Sequence, residues 1–343
     1  ISKATISGVS GIVAGNKVYD GTATASLNTA GATFAGMIGG DSLSVSGASG
    51  SFADKNAGTG KTVSISGIVL GGTDAGNYNL TGTTASSSAD ISKATLSGVT
   101  GIVAGNKVYD GGQAASLNMA GASFTGMVGG DNLTVSGASG SFADKNAGTG
   151  KTVNISGMVL GGTDAGNYNF TNTLASSTAN ISKATISGVS GIVAGNKVYD
   201  GTATASLNTA GATFAGMIGG DSLSVSGASG SFADKNAGTG KTVSISGIVL
   251  GGTDAGNYNL TGTTASGSAD ISKATISGVT GIVAGNKVYD GGQAASLNMA
   301  GASFTGMVGG DNLTVSGASG SFADKNAGTG KTVNISGMVL GGS

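Results

Sequence analysis

Apolar and polar residues alternate over short stretches of this chain. Leu43 and Val45 in "DSLSVSG", Val63 and Ile65 in "KTVSISG", and Tyr78 and Leu80 in "NYNLTG" are each separated by one polar position. A period of two is the pattern of a strand with one buried face, and the abundance of Thr and Val agrees with it. After Ser66-Gly67 the apolar set becomes Ile68 and Leu70, so the parity flips. A glycine at such a slip predicts a β-bulge or a tight turn. The 68 glycines punctuate the chain every few residues, which excludes helix almost throughout. Short strands with Gly, Asn and Asp turns between them predict a sandwich-like or barrel-like module.

The pattern recurs. "NKVYDG" occupies 16–21 and returns at 106–111, 196–201 and 286–291, and "ISKAT" or "ISKATL" opens each unit at 1, 91, 181 and 271. The chain therefore divides into module A at 1–90, module B at 91–180, a second A at 181–270 and a truncated B at 271–343. Units one and two differ at 18 positions, whereas one and three differ only at Ser87 against Gly267, which gives an A-B-A-B array. The expected fold is all-β, a tandem array of small elongated β-sandwich-like modules joined end to end. The alternative, a parallel β-solenoid, needs self-similarity at roughly 20–25 residues, and none is visible inside the 90-residue unit.

Differences between A and B sort by burial. Ile6, Ile38, Ile68 and Leu80 become Leu96, Val128, Met158 and Phe170, as core positions demand. Ser42, Ser64 and Gly82 become Asn132, Asn154 and Asn172, as solvated positions allow. Thr84 becoming Leu174 breaks this rule. The junction 83–97, "TTASSSADISKATLS", has no glycine, so it is not a flexible linker. Read as continuous strand, about 50 Å at roughly 3.3 Å per residue, it predicts a stiff connection, with Gly267 a softer point in the third unit.

Composition narrows function. There is no Cys, His, Trp, Pro, Glu or Arg; the 16 basic residues are all Lys and the 17 acidic ones all Asp. The usual ligands for zinc or redox metals are missing, as are the members of Ser-His-Asp and Cys-His nucleophile sets. Asp, Lys and Tyr remain for acid–base work, with reference pKa values far from neutrality. No enzyme and no cofactor are expected. A net charge of −1 provides no basic face for nucleic acid, and no apolar run approaches the ~20 residues of a membrane span. Ile, Val, Leu and Phe number 18 in the first 90 residues, near the disorder border, yet their patterning and the small net charge predict an ordered module with a thin core.

Several stretches invite a chemical reading. "GTGKT" (Gly58 to Thr62) ends like a phosphate-binding loop, but Lys55 stands where that motif needs Gly, and "VSISG" after it is strand-like; a hairpin loop is expected. Asp20, Asp41, Asp54 and Asp74 lie in Gly-rich turns, and "TDAGNYN" groups Asp74, Asn77 and Asn79 as weak calcium candidates. Such residues more often bond their own backbone. Lys17, Lys55 or Lys61 could form an isopeptide crosslink to an Asn beside a buried acid, for which only Asp is available. Asn79 and Asn154 begin N-glycosylation triplets. Tyr19 and Tyr78 could stack on sugars, although a lone strand tyrosine usually packs its ring.

The longest shared run, "KVYDGTATA", then "GSFADKNAGTGKTVSISGIVLGGTDAGNYNL", then "SADISKA", resembles the YDG repeat and the related glycine-rich mostly-β repeats of filamentous-haemagglutinin-like bacterial adhesins. The matching positions are Lys17, Tyr19, Asp20, Gly21, Asp54, Lys55, Asn56, Gly58, Lys61, Gly76, Asn77 and Tyr78. The resemblance covers essentially the whole chain. It implies secretion to the bacterial surface and a stalk or fibre role in attachment or biofilm, without catalytic residues. The partners it implies are neighbouring repeats, and like chains in a fibre or biofilm matrix, or surface glycans. The alternative is a multivalent array that grips a glycan or matrix polymer through exposed Tyr and Asn. Within "NKVYDG", Asp20-Gly21 predicts a turn, with Val18 facing inward and Tyr19 covering the module surface or its junction.

Overall fold

The computed structural model describes residues 1–342 and is built almost wholly of strands. In the first repeat these are β1 (Ala4–Ile6), β2 (Gly8–Ser10), β3 (Val13–Ala14), β4 (Lys17–Val18), β5 (Thr24–Ala25), β6 (Leu27–Asn28), β7 (Thr33–Ala35), β8 (Ser44–Phe52), β9 (Gly58–Gly71), β10 (Tyr78–Leu80) and β11 (Ala85–Ser92). A five-stranded sheet of order β4-β11-β9-β8-β5 carries the repeat, accompanied by the pairs β1-β10, β2-β7 and β3-β6. Each of the first three repeats carries its own five-stranded sheet, so the chain is a tandem array of all-β modules and not a solenoid.

The alternation read in the sequence becomes one buried face. Val63, Ile65, Phe52, Ala25, Ala89 and Ile91 point from the large sheet into the core, where Ile6, Val9, Ile12, Ala14 and Ile68 cover them. Val63 and Ile65 are at most 1 % exposed. Ser64, Ser66, Thr62, Ser86 and Ser88 occupy the outer face. The parity flip after Ser66 is a bulge: Gly67 takes φ +65°, the β8–β9 register shifts around Gly47, Ile68 turns inward and Val69 outward. An L side chain rarely adopts that φ, which is why glycine stands there.

Most A-to-B exchanges keep to their layer. Ile6 and Leu96 are fully buried, as are Ile68 and Met158. Ile38 is a correction: it is 58 % exposed in the first repeat, while its counterpart Val128 lies at the contact described below. Leu174 is exposed, and nothing in the structure explains it.

The chain forms two compact units, Ile1–Ser182 and Lys183–Ser343. Within the first, β11 stays with the first repeat through Ser92, pairing antiparallel with β9 and parallel with β4. After Lys93, strand Ala94–Leu96 joins the second repeat, pairing with Tyr168–Phe170. The glycine-free junction is thus two strands separated by one residue, each belonging to a different sheet. The repeat's sheet extends two residues past the 90-residue count, because Ile91 and Ser92 still pair with Lys17 and Val18. The second repeat repeats the plan, with Lys107–Val108, Ala175–Ser182, Gly148–Ser156, Ser139–Phe142 and Ala114–Ala115 in the large sheet.

Candidate functional site: the contact between adjacent repeats

The first repeat meets the second through the residues of its own signature. At one end, β4 leads into Asp20-Gly21, a turn in which the Asp20 carboxylate accepts hydrogen bonds from the Thr22 amide (2.9 Å) and hydroxyl (2.8 Å). Gly21 has φ +78°, and a Cβ there would lie 2.9 Å from Val128 Cγ1 of the next repeat. Glycine is demanded twice over, by conformation and by close approach.

Tyr19 covers the junction, as the sequence reading has it, but Val18 does not face inward. Val18 is 58 % exposed and Tyr19 is buried. Lys17 takes the inward side: its ammonium sits 5.9 Å from the Phe52 ring centroid, donates to the Thr22 and Thr24 carbonyls (2.9 and 3.0 Å), and pairs with Asp20 at 2.7 Å. A lysine can point inward because its stem packs on Phe52 while its head is fully bonded at the rim. Lys17 and the Thr22 amide together hold the Asp20 carboxyl at about 2.

The "ADKNAGTGKT" segment is a hairpin loop between β8 and β9, with Gly58 to Thr62 entering β9. The loop is closed by Lys61 with Asp54 at 2.5 Å, and the Asn56 amide donates to the same Asp54 oxygen. Its tip projects Lys55 and Asn56 at the second repeat.

The receiving group is Asp131, whose side chain is 2 % exposed. Tyr19 Oη donates to both its carboxylate oxygens (3.0 and 2.9 Å), Lys55 Nζ donates to Oδ1 at 3.0 Å, and Tyr168 Oη donates to Oδ2 at 2.6 Å. The Tyr168 oxygen also accepts the Val128 amide at 2.9 Å. The Tyr19 and Tyr168 rings meet edge to face at 5.5 Å and 75°, and Lys55 Nζ lies 5.8 Å from the Tyr19 centroid. Lys55 also reaches Asp164 at 3.4 Å. Beside this cluster, Asn167 is buried, accepts the Ala57 amide at 2.9 Å and donates to Asn56 Oδ1 at 3.2 Å.

Burial alone pushes the Asp131 carboxyl up, but Tyr168, Lys55 and Tyr19 outweigh it and hold it below the usual carboxylate range. The same contacts raise the partners. Asp131, then Tyr19, lifts Lys55 above the ordinary lysine value, and burial followed by Asp131 pushes Tyr168 up to about 12. All of these shifts stabilise one charge state, an ionised Asp131 facing a charged Lys55 and two neutral phenols.

In the second unit, Tyr199 Oη donates to Asp311 at 2.7 Å and Lys235 lies 3.5 Å from it, with Gly201 placed so that a Cβ would meet Val308 Cγ1 at 3.0 Å. The same pairing of positions therefore recurs in the second unit.

The structure sorts the sequence's candidates. Tyr19, Gly21, Lys55 and Asn56 form one side of the contact, while Asn77 and Tyr78 are represented on the other side by Asn167 and Tyr168. Lys17, Asp20, Asp54 and Lys61 brace the turn and the hairpin within a repeat. Gly58 opens β9, and Gly76 lies in the 3-10 turn Ala75–Asn77. Asp41, the equivalent of Asp131, is the centre that sequence reasoning missed; its recurrence with Tyr78 in the first three repeats was the available signal. In the first repeat Tyr78 Oη donates to Asp41 at 2.5 Å and accepts the Ile38 amide at 3.0 Å, and the second and third repeats carry the same tyrosine–aspartate bond, so there the acceptor is assembled inside the module.

Two of the weaker chemical readings meet a different geometry. Tyr19 and Tyr78 are 3 % and 4 % exposed, so they do not offer sugar-stacking platforms. Asp74 is spent on backbone and hydroxyl bonds to Ser42 (2.8 Å) and Thr73 (3.1 Å), and Asn79 lies in β10 opposite Thr5. Among the described residues, no three acidic or other metal-ligating side chains gather as a metal site.

The family description "YDG domain" matches residues 3–86, 92–179, 181–266 and 272–343. No curated protein sequence matches the chain. Among solved structures, the I9–I11 tandem of titin shares 9 % identity at TM-score 0.18, covering 80 % of this chain and 98 % of that one. Three N-terminal domains of the Hoc capsid protein of bacteriophage RB49 share 12 % at TM-score 0.21, covering 78 % and 99 %. Domains 4–9 of the surface layer protein SbsC share 12 % at TM-score 0.19, covering 98 % and 63 %.

Proposed function

The chain belongs to the YDG domain family, and we propose that its repeats are the structural stalk or fibre region of a large exported bacterial adhesin, serving attachment or biofilm. The observation that carries this reading is the use made of the signature residues. Tyr19, Lys55 and Asn56, among the few chemically distinctive side chains of the repeat, are committed to Asp131 and Asn167 of the next repeat. A binding or catalytic module would keep such groups accessible; a load-bearing module uses them to fix its neighbour. Repeats stabilised by nearest-neighbour interfaces behave in this way.

Localisation at the bacterial surface and the absence of enzymatic activity belong to the same proposal. They are supported by the family resemblance and by a titratable set limited to Asp, Lys and Tyr.

The test separates a stalk from a glycan-gripping array. The 343-residue chain is applied to polysaccharide and glycan arrays alongside force spectroscopy. A stalk gives no saturable binding and a series of similar unfolding steps. Saturable glycan binding by the folded chain would overturn the reading.

A further inference from the structure

The first and third repeats differ at a single residue, Ser87 against Gly267. Both positions lie in the strand that closes the large sheet, β11 in the first repeat and Ala265–Ser272 in the third. They are the cross-strand partners of the buried Val63 and Val243, so they sit on the strand's inward side. In the first repeat the Ser87 hydroxyl accepts the Ala14 amide at 3.0 Å, and in the second Ser177 accepts the Ala104 amide at 3.1 Å. Ala14 belongs to β3, which pairs with β6 and lies in the layer over the core. The serine hydroxyl is therefore a bond between the closing strand and that covering layer.

Gly267 takes this bond away. Ala194, the counterpart of Ala14, is equally buried, yet among the described residues its amide has no hydrogen-bond acceptor. The strand's other contacts are kept. Asn196 Oδ1 accepts the Asp270 amide at 2.8 Å, Asp270 Oδ1 accepts the Gly240 amide at 2.7 Å, and the Ser272 carbonyl accepts the Tyr199 amide at 2.8 Å. The first repeat makes the same three bonds at the same lengths. A buried amide left without an acceptor is destabilising, and a glycine inside a strand weakens it further. A Cβ at position 267 would lie 3.9 Å from its nearest neighbours, Ala194 Cβ and Ile245 Cδ1, so the site has room for the missing serine.

The closing strand is also where the chain leaves the repeat. It ends at Ser272 beside Tyr199, whose hydroxyl is bonded to Asp311 of the fourth repeat, so the exit faces the next module. Tension on Lys273 therefore draws the strand lengthwise past Gly238–Gly251, its antiparallel neighbour, and Lys197–Val198, its parallel one. Bonds loaded in this direction share the load and fail together, and the third repeat has one fewer to share it.

We propose that Gly267 makes the third repeat a release point for tension. Its closing strand opens before the otherwise identical strand of the first repeat, and length is released there while the first repeat stays folded. The source of the tension rests on the stalk reading; the difference in strand opening does not.

Amide exchange in the 343-residue chain, followed residue by residue by NMR, compares Asp270 with Asp90, whose amides make the same bond in the two repeats. The Asp270 amide should exchange about tenfold faster. Gly267→Ser should bring it down to the Asp90 rate, and Ser87→Gly should raise Asp90 to the native Asp270 rate. Ser87→Gly gives the first repeat the third repeat's own sequence, so the variant folds. Under force, the rupture of the third repeat should fall below that of the first; Gly267→Ser should shift it upward, and Ser87→Gly should add a second rupture at the lower force. Equal native exchange rates, a gap that survives Gly267→Ser, or rupture forces indifferent to both variants would each overturn the proposal. Saturable glycan binding would defeat the stalk reading and leave the exchange difference standing, so the two failures are distinguishable.

Discussion

Lys55 donates to Asp131 at 3.0 Å across 76 residues of sequence, although the Lys55 side chain is 39 % exposed and that of Asp131 2 %. The asymmetry decides which partner matters. A lysine that loses this contact is rehydrated, whereas a carboxylate at this depth depends on its three donors.

Asp131→Asn should therefore loosen the contact between the first two repeats while leaving both modules folded. Hydrogen bonds to a charged group contribute about 2 kcal/mol, equivalent to roughly 30-fold in opening. The reporter is the Ala57 amide, which donates to Asn167 within the contact. Its hydrogen exchange should accelerate by about that factor if exchange proceeds through local opening. The same segment recurs in every repeat, so the Ala57 amide is followed as a residue-resolved NMR signal in the native and Asp131→Asn chains. Unchanged exchange would place the stability of the contact elsewhere.

Acid should weaken the same contact. Asp131 has its folded value held below that of an unfolded aspartate, near 3.9. Its contribution is therefore complete above about pH 4 and is lost as pH falls through the lower, folded value. The groups facing it are Tyr19, Tyr168, Lys55 and Asp164. Unfolding measured from pH 6 to pH 2 should show the difference between the native chain and Asp131→Asn shrinking below about pH 4. A difference constant over that range would contradict the assignment.

Alkali acts through a different residue. Tyr168 is raised to about 12, against about 10 in an unfolded chain. A group with a raised folded value contributes fully below its unfolded value and loses that contribution as pH rises through the folded one. Stability should therefore fall between about pH 10 and 12, and Tyr168→Phe should remove that component of the slope while lowering stability at neutral pH by about 1 kcal/mol. Absorbance at the phenolate band, followed alongside unfolding, checks both.

Gly21→Ala should destabilise by about 1–3 kcal/mol, from a side chain at positive φ and from its clash with Val128. Val128→Ala removes the clashing methyl but not the backbone strain. The double variant should thus lose less than the sum of the two single changes, by about 0.5–1 kcal/mol in a double-mutant cycle. Strict additivity would show that Val128 does not press on residue 21.

The legible and illegible parts of this fold divide along a physical line. Strands and their buried faces were readable because burial imposes period two on Val63, Ile65 and their neighbours, and the bulge was readable because Gly67 interrupts that period. The Asp20-Gly21 turn was readable from local backbone chemistry. The contact between repeats was not, because it joins Tyr19 and Lys55 to Asp131 through no local pattern. A polar residue in a Gly-rich turn has the same sequence appearance whether it faces water or a neighbouring tyrosine. Ile38 was misplaced for a related reason: an apolar exchange to Val128 reads as core, while it is the approach of Gly21 that the position serves.

Lys17 and Val18 offer the sharpest test of that inversion. Hydrophobicity favours Val18 inside, yet the exposed Val18 projects away from the core while Lys17 lies near Phe52 with its ammonium bonded to Thr22, Thr24 and Asp20. Val18→Ser should change stability by no more than about 0.5 kcal/mol, the range of ordinary surface substitutions. Lys17→Ser should cost about 1–2 kcal/mol, since it removes the stem packed on Phe52 and the cation over its ring together with the ammonium's hydrogen bonds. Lys17→Met keeps the stem and loses the charge, so it should fall between the two. The order Val18→Ser, Lys17→Met, Lys17→Ser in denaturant unfolding follows only if the lysine faces inward. The reverse placement would make Val18→Ser the most damaging of the three.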